Sequence, residues 1–455
     1  MSNSGNSLAT KSIPVLLFLF VFCLVIDNAF KIMSVQIAKD FDISASLVSY
    51  QATLAGLIIG VGAVLYSSLA DSFSTRKLFI WGIYFICIGS VIGYVFHSNF
   101  YAVLAGRVIQ TAGLAAAETL YVVYVAKYAL KNKRKFYFGL STSMFSLSLI
   151  IGILSGGYIS TFLHWRDMFL ISLIVILTLP FLYKYLPKET PSRAKVDILG
   201  LILISSITTL ILLAITNNAY FLIPAIILIA FFAWHIRSAK EPLVDPSFFK
   251  NKRFVLFLII VFVMYSIQLG YVAFIFPFSM DKVYGISFDK TSLLLTPGYI
   301  GAVIIGAFSG FIARFLSSKT VIVLSFIAIA LALSIPAFFI GSSKAIFVIS
   351  VIFFAGSYAA FYAPLLNEAI RDVRSDFVGV SIGLYNLMIN ISISIGIAIT
   401  ASLIDRDLNF FGNFYENTLS GHYDSILLLL GGFGTLGLIL FLIFEGITKN
   451  ASRAK

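Results

Sequence analysis

The chain has 455 residues, of which 60% are hydrophobic and 11% are charged. Because soluble domains carry about 25% charged residues, this composition excludes a soluble enzyme or binding module and predicts an integral membrane protein. The net charge of +12 does not indicate nucleic-acid binding, since the basic residues lie in short loops between apolar runs, as membrane topology requires.

Fourteen apolar runs follow one another along the chain. Most are as long as the roughly 20 residues that a helix needs to cross a bilayer, which predicts helices rather than the shorter strands of a membrane barrel. We therefore predict an all-α integral membrane protein with fourteen transmembrane helices. The approximate runs are 14–37, 46–69, 77–96, 101–129, 136–161, 167–186, 197–216, 220–236, 254–280, 291–314, 320–340, 345–366, 377–404 and 424–446.

The distribution of Lys and Arg predicts the orientation. If the N-terminus lies in the cytoplasm, 24 basic residues fall on the cytoplasmic side and six fall outside. Cytoplasmic loops carry an excess of Lys and Arg, and an even number of helices places both ends on one side. Both termini are therefore predicted to be cytoplasmic.

The fourteen predicted helices group into two blocks of six with a pair between them. A weak repeat supports this division: SSLADSFSTRK at Ser67–Lys77 follows helix 2, and SGFIARFLSSK at Ser309–Lys319 follows the second helix of the second block. Parallel repeats of this kind occur in transporter folds, with the substrate site at their interface. The predicted domains are a six-helix bundle at 1–187, an inserted helix pair with its flanking loops at 188–253, and a second six-helix bundle at 254–455.

Helix 1 carries Asp27, Asn28 and Lys31 at bilayer depth. Asp27 and Lys31 are four residues apart, which is the spacing of a same-face pair. Two interpretations are open: a self-neutralising ion pair, or a carboxylate that responds to its cation and to water. Asn28 is a candidate substrate-binding residue.

Helix 4 contains Arg107, Gln110 and Glu118 in the stretch GRVIQTAGLAAAETL. Ionisable residues inside a membrane are costly and by default mark a functional site. On an α-helix the three share one stripe, and about 16 Å of axis separates Arg107 from Glu118, so these two cannot pair with each other. Two interpretations of Arg107 are open: a structural link between helices, or part of the titratable wall of an internal cavity. Gln110 is a candidate substrate-binding residue.

Further polar side chains lie on helices 2, 9 and 13. They are Gln51, Gln268, Tyr271, Asn386 and Asn390. Such side chains either hydrogen-bond across helices or line a substrate cavity, and the sequence leaves both possibilities open.

The end of helix 5 is rich in small residues, with Gly152, Gly156 and Gly157, which predicts close helix packing. The sequence contains no P-loop, no HExxH, no GxSxG and no cysteine–histidine metal spacing. We therefore predict neither an enzyme nor a resident metal or cofactor; that a proton gradient is the energy source is implied only by the family resemblance given next.

Three stretches resemble the signatures of one family. The loop after helix 2 is similar to GxLaDrxGrk, helix 4 to RxxQGxGaa, and helix 5 to GxxxGPxxGG without its proline. The matching positions are Ser67, Leu69, Ala70, Asp71, Ser74, Arg76 and Lys77; Arg107, Gln110, Thr111, Gly113 and Ala115; and Ser148, Gly152, Ile153, Gly156 and Gly157.

With these stretches the chain resembles the fourteen-helix drug/proton antiporters of the major facilitator superfamily, and among them the tetracycline-efflux proteins of Gram-positive bacteria. The resemblance implies proton-coupled efflux of an amphipathic drug, tetracycline first, across a bacterial cytoplasmic membrane. It implies that tetracycline travels with a divalent metal ion, and that Asp71, Arg76 and Lys77 brace a gate.

One departure from the family changes the expected coupling site. Tetracycline-efflux proteins carry acidic residues in helices 5 and 13, where this chain has Leu149 and Ile393, whereas Glu118 stands in helix 4. Glu118 is therefore the expected proton-coupling carboxylate, with Arg107 tuning it and Asp27 as the next candidate. A proton-coupled importer of a native metabolite and a broader multidrug exporter are the alternatives.

Overall fold

The structure, a computed structural model, describes residues 3–129, 131–187, 197–239, 242, 251–308, 311–312, 315–340, 343–373, 378–406, 408–409 and 418–453. All regular secondary structure within these ranges is helical. Thirteen helices in the described ranges are long and apolar enough to cross a membrane. The remaining predicted span, 136–161, falls on one further helix, of which Leu147–Ile159 forms a shorter apolar segment. The count of fourteen spans stays a prediction, as do the cytoplasmic termini.

The first ten α-helices run up to residue 238. They are α1 (Asn3–Ile32), α2 (Ser34–Phe41), α3 (Ala45–Ser72), α4 (Thr75–Val95), α5 (Phe100–Tyr128), α6 (Lys131–Phe162), α7 (Asp167–Ser172), α8 (Leu179–Tyr185), α9 (Ile198–Thr216) and α10 (Leu222–Ser238).

Seven more α-helices follow in the described part of the second half. They are α11 (Lys252–Ser266), α12 (Phe276–Lys282), α13 (Phe288–Ala307), α14 (Ser318–Ala337), α15 (Lys344–Ile370), α16 (Val378–Ile404) and α17 (Thr418–Arg453).

Several apolar runs that the sequence predicts as single helices are not regular throughout. The run 14–37 is divided at Met33 into α1 and α2, and the run 220–236 begins in a 3₁₀ segment, Ala219–Phe221. The run 167–186 contains a 3₁₀ segment, Leu173–Thr178, between α7 and α8. The run 254–280 contains a π-helical segment, Gly270–Ile275, between α11 and α12. Segments of π-helix are rare and occur frequently at functional sites. Hydropathy cannot detect such changes of helical type, because they leave the apolar pattern intact.

The helices form two compact units. Unit 1 comprises Met1–Ile43, Tyr50–Leu210 and Ile223–Leu243, and unit 2 comprises Ser44–Ser49, Ile211–Leu222 and Val244–Lys455. The inserted pair α9 and α10 is shared between them, since α9 changes unit after Leu210.

Glycines set the closest helix contacts in unit 1. A Cβ atom on Gly113 of α5 would lie 2.2 Å from the carbonyl oxygen of Gly82 on α4, and one on Gly106 would lie 2.7 Å from the nitrogen of Gly93. Gly152 and Gly156 of α6 lie against α1, where a Cβ on Gly152 would be 2.8 Å from Cβ of Asn28. These contacts fix α5 against α4 and α1 against α6, and α1 and α5 are the helices that carry Asp27, Lys31, Arg107 and Glu118.

Unit 2 has an equally close contact at the start of its π-helical segment. A Cβ on Gly396 of α16 would lie 1.6 Å from the carbonyl oxygen of Ser266, the last residue of α11. The next helical turn repeats the contact, since a Cβ on Gly270 would lie 2.3 Å from Oγ1 of Thr400. The small residues of α16 therefore allow the backbone of α11 to approach it.

We predict that Gly396→Ala destabilises the protein while Gly383→Ala does not. The new methyl group at 396 meets backbone at 1.6 Å, which neither rotamer change nor small shifts relieve, and overpacking costs about 1–3 kcal/mol or more. Gly383 lies on the same helix with no atom within 4 Å of its would-be Cβ. Thermal unfolding in detergent measures both variants, and equal melting temperatures would contradict the proposed packing.

Candidate functional site

A buried carboxylate, Asp27 on α1, pairs with two cations. Its Oδ1 accepts a hydrogen bond of 3.2 Å from Nη2 of Arg107 on α5, and its Oδ2 accepts one from Nζ of Lys31. The three residues are between 1% and 8% exposed. The ion pair that the sequence suggested between Asp27 and Lys31 is present, but it is part of a larger cluster.

Arg107 is held by more than its ion pair. Its Nη1 donates a 2.6 Å hydrogen bond to Oε1 of Gln110, and Nε2 of Gln110 in turn donates a 2.9 Å bond to Oγ of Ser90 on α4. The guanidinium group also lies over the ring of Phe30, 4.2 Å from its centroid. Arg107 is thereby fixed by α1, α4 and its own helix.

The charges of this cluster do not cancel. Two cations, Lys31 and Arg107, share the single carboxylate of Asp27. Taking ions out of water costs several kcal/mol each, so a buried ion without its counter-charge strongly destabilises a protein. Asp27 is therefore needed by both cations, and protonating it would leave both uncompensated.

Glu118 has a different environment. Its side chain is half-buried, its atom Oε1 is buried without a hydrogen-bond partner, and none of the described residues forms an ion pair with it. It lies within electrostatic range of Asp27 and Lys31. A carboxyl group placed in this way can gain or lose a proton without breaking an ion pair.

The other polar candidates of unit 1 make hydrogen bonds between or within helices. Nε2 of Gln51 donates to the carbonyl oxygen of Phe30 at 2.9 Å and to Oγ of Ser34 at 2.8 Å, which joins α3 to α1 and α2. Nδ2 of Asn28 donates to the carbonyl oxygen of Leu24, one turn earlier in α1. Gln51 therefore forms hydrogen bonds between helices in this structure. A role of Gln51 or Asn28 in substrate binding stays a prediction.

Among the candidates of unit 2, Asn390 donates a 3.0 Å hydrogen bond to the carbonyl oxygen of Asn386, one turn earlier in α16, whereas Tyr271 has a different partner. Tyr271 is fully buried in the π-helical segment and shares a 2.8 Å hydrogen bond with Ser350. Asn386 accepts a 3.4 Å bond from the hydroxyl of Tyr362, and Asn390 donates to the backbone of its own helix. Gln268 is half-buried next to the π-helical segment.

The structure describes only part of the predicted gate, which consists of Asp71, Arg76 and Lys77. The side chain of Asp71 lies outside the described residues. The guanidinium of Arg76 lies over the ring of Tyr183 at 5.1 Å, and Lys77 is exposed. Nearby, the ammonium group of Lys127 at the end of α5 donates to the carbonyl oxygen of Ala70. The bracing role of the three gate residues stays a prediction.

Sequence reasoning missed three parts of the site. Ser90 and Phe30 complete the surroundings of Arg107, and the π-helical segment surrounds Tyr271. The spacing of Gly82, Gly89 and Gly93 could have identified α4 as the neighbour of α5, because glycines recur along one face of it. Within the described residues, no group of three or more His, Cys, Asp or Glu side chains could hold a metal ion.

Comparison with known proteins gives a consistent result. A family model described as Major Facilitator Superfamily matches residues 15–397. The chain is 24% identical over 407 residues to the riboflavin transporter RibZ of Clostridioides difficile (strain 630), which covers 88% of this chain and 89% of that protein. It is also 24% identical over 375 residues to multidrug resistance protein 3 of Bacillus subtilis (strain 168), covering 79% and 72%.

Solved structures share the fold. A POT family transporter in complex with a thioalcohol-conjugated peptide superposes with a TM-score of 0.71 at 14% identity, covering 97% of this chain and 96% of that one. The nucleoside transporter NupG gives a TM-score of 0.62 at 14% identity, covering 94% and 98%. Fold and matches together define a multi-pass membrane transporter of small-molecule substrates. The chain belongs to the Major Facilitator Superfamily.

We predict that Asp27→Asn is far more destabilising than Glu118→Gln. The first change leaves Lys31 and Arg107 buried without a counter-charge, and breaking a buried ion pair costs about 3–5 kcal/mol. The second removes a carboxyl group that no described cation pairs with, so we expect little loss of stability. Thermal unfolding of both purified variants tests this, and similar losses of stability would show that Asp27 is not the counter-ion that the cluster depends on.

Proposed function

We propose that this chain is a proton-coupled exporter of amphipathic drugs in a bacterial cytoplasmic membrane, with tetracycline as the first substrate to test. The observation that carries the proposal is the contrast between two carboxylates of unit 1. Asp27 is shared by two buried cations, whereas Glu118 has a buried oxygen atom without a hydrogen-bond partner among the described residues.

A coupling carboxylate needs two accessible protonation states, because a proton-driven cycle alternates between them. In the proposed cycle, Glu118 is ionised when it faces the cytoplasm and attracts a cationic or metal-bound drug. A proton from outside then neutralises Glu118 and the drug is released. Arg107 and Asp27 keep their pairing throughout and hold α1 and α5 together.

The substrate is proposed on two grounds. The signatures in the loop after helix 2 and in helices 4 and 5 resemble those of tetracycline-efflux proteins, and multidrug resistance protein 3 of Bacillus subtilis matches 79% of this chain. We propose that tetracycline is carried with a divalent cation, since the drug chelates such ions and the negative charge on Glu118 favours a positive complex. In this proposal the metal ion is cargo and has no fixed site in the protein.

A second candidate function has two observations in its favour. The riboflavin transporter RibZ matches 88% of this chain, and the helix 5 signature lacks the proline of the antiporter pattern. Proton-coupled uptake of a native metabolite is therefore the main rival. Riboflavin and tetracycline are both flat, multi-ring, amphipathic molecules, so one site could accept the general shape of either.

Everted membrane vesicles separate these functions. When respiration pumps protons into such vesicles, an exporter accumulates tetracycline inside them and a protonophore abolishes the accumulation. An importer instead carries riboflavin into right-side-out vesicles and accumulates no drug in everted ones. If tetracycline and a panel of amphipathic cationic drugs fail to accumulate in everted vesicles with verified protein, drug export is wrong.

We predict that Glu118→Gln abolishes the proton-driven accumulation but keeps drug exchange. The amide cannot cycle a proton, yet it has the same size, so binding and alternation persist without coupling. Accumulation should fall to that of vesicles without the protein, while exchange of labelled for unlabelled drug at equal pH stays near the wild-type rate. Uphill pumping by the variant at near wild-type rate would make Asp27 the leading coupling candidate instead.

A further inference from the structure

The apolar runs of unit 2 carry no charge in their sequence. From residue 254 onward they lack Asp, Glu, Lys and Arg altogether, whereas α1 and α5 of unit 1 carry Asp27, Lys31, Arg107 and Glu118. A ligand held by these runs of unit 2 therefore meets aromatic, amide, hydroxyl and aliphatic groups and makes no ionic contact with them. The charge-free runs are 254–280, 291–308, 320–340, 345–366, 377–404 and 425–444.

A cluster of buried aromatic rings joins α11 to α15. The ring of Tyr265 on α11 lies edge-on to the rings of Tyr358 and Phe361 on α15, with centroids 5.6 and 5.8 Å apart. The hydroxyl of Tyr358 also donates to the carbonyl oxygen of Met264. All three rings are buried. These contacts hold in place the turn of α15 that carries the next aromatic residue, Tyr362.

Tyr362 has an accessible ring beside an amide group. Its side chain is 36% exposed, and its ring lies edge-on to that of the buried Tyr385 on α16, 6.4 Å between centroids. The hydroxyl of Tyr362 donates a 3.4 Å hydrogen bond to Oδ1 of Asn386. The half-buried side chain of Asn386 makes no hydrogen bond through Nδ2 to any described residue. A flat apolar face and a hydrogen-bond donor thus lie side by side.

This pair lies too deep for the interfacial belt in which tyrosines are common. The middle of α15 falls at Ser357 and that of α16 at Ile391. Tyr362 and Asn386 each lie about 7.5 Å along the helix axis from these points, and the hydrocarbon core extends about 15 Å from its centre. Polar groups at such depth face the interior of a bundle or a water-filled cavity. The accessible side of Tyr362 therefore belongs to an interior surface of unit 2.

The ring behind Tyr362 carries a hydroxyl group that the fold does not use. The side chain of Tyr385 is fully buried, and its hydroxyl lies beside that of Tyr265. No described residue forms a hydrogen bond of normal geometry with this hydroxyl. Buried polar groups usually have such a partner. Tyr385 therefore supplies a further polar group next to the accessible ring.

We propose that Tyr362 and Asn386 form a binding site in unit 2 for a planar, fused-ring aromatic molecule. The flat ring of the ligand packs on the ring of Tyr362, as aromatic groups do in offset or edge-on contacts. An acceptor on the ligand edge takes a hydrogen bond from Nδ2 of Asn386, and such a polar contact fixes the orientation of a ligand in its site. Because the surrounding runs carry no charge, the site accepts neutral and cationic rings alike.

The site extends the proposed function by naming the part of the substrate that unit 2 holds. It rests on that function only in taking the bound ring to be part of the transported molecule. Ring binding requires neither a proton gradient nor a direction of transport. A failure of drug accumulation in everted vesicles would therefore leave the expected binding unchanged, and a failure of ring binding would leave the vesicle result standing.

Equilibrium binding to the full-length chain in lipid nanodiscs tests the site, with neutral riboflavin and cationic proflavine as planar probes. Tyr362→Leu should weaken the binding of both probes by about tenfold, because stacking on the ring is lost. Tyr362→Phe should stay within about threefold of the wild type, since it keeps the ring and loses only a long hydrogen bond. Thermal unfolding confirms that each variant is folded.

Phe353→Leu is the matched control. Phe353 is 59% exposed on the same helix, but nine residues from Tyr362, which places it on the opposite face of α15. The same loss of an exposed ring at this position should leave the binding of both probes unchanged. Equal effects of Tyr362→Leu and Phe353→Leu would overturn the site, and so would a loss in Tyr362→Phe as large as that in Tyr362→Leu.

Two further results decide the proposal without the Tyr362 variants. In the wild type, proflavine should displace bound riboflavin competitively, because both rings occupy one site. Asn386→Leu should weaken riboflavin binding by about fivefold, since the carbonyl groups on the edge of its ring lose their donor. Failure of the wild type to bind either planar probe, or binding of both at once, would refute the single ring site.

Discussion

The ion cluster around Asp27 is the constraint on which the arrangement of unit 1 depends. One carboxylate serves two buried cations, Lys31 on its own helix and Arg107 on α5. Buried ions are tolerated only when they are paired, so the positions of α1 and α5 are tied to each other. Glycine contacts between α4 and α5, and between α1 and α6, bring the backbones close enough for these short side-chain contacts.

In our proposal, this constraint gives Asp27 and Glu118 different roles. Because Asp27 is required as a counter-ion, it is poorly suited to release and rebind protons in every cycle. Glu118 lies on the same helix as Arg107 but about three turns away, and none of the described cations pairs with it. In our proposal the cluster holds the helices in place and Glu118 carries the proton. In this proposal the chain couples transport without the acidic residues that the tetracycline-efflux proteins carry in helices 5 and 13.

Much of this architecture could be predicted from the sequence, because a bilayer forces long apolar runs and three stretches resemble the superfamily signatures. The membrane class, the helical fold and the family were predicted and are confirmed. The pairing of Asp27 with Lys31 could be predicted from their spacing, but its extension to Arg107 could not, since the two residues are 80 positions apart. The π-helical segment at Gly270–Ile275 also has no sequence signal, because it depends on backbone geometry.

The most direct test of the account is to observe which carboxyl group takes up the proton. Infrared difference spectra of the reconstituted protein, recorded between high and low pH, report each newly protonated carboxyl group through its C=O stretching band. The account predicts a band in the wild type that is absent in Glu118→Gln and present in Asp27→Asn. A band that persists in Glu118→Gln and disappears in Asp27→Asn would contradict it, and would assign the coupling proton to the ion cluster.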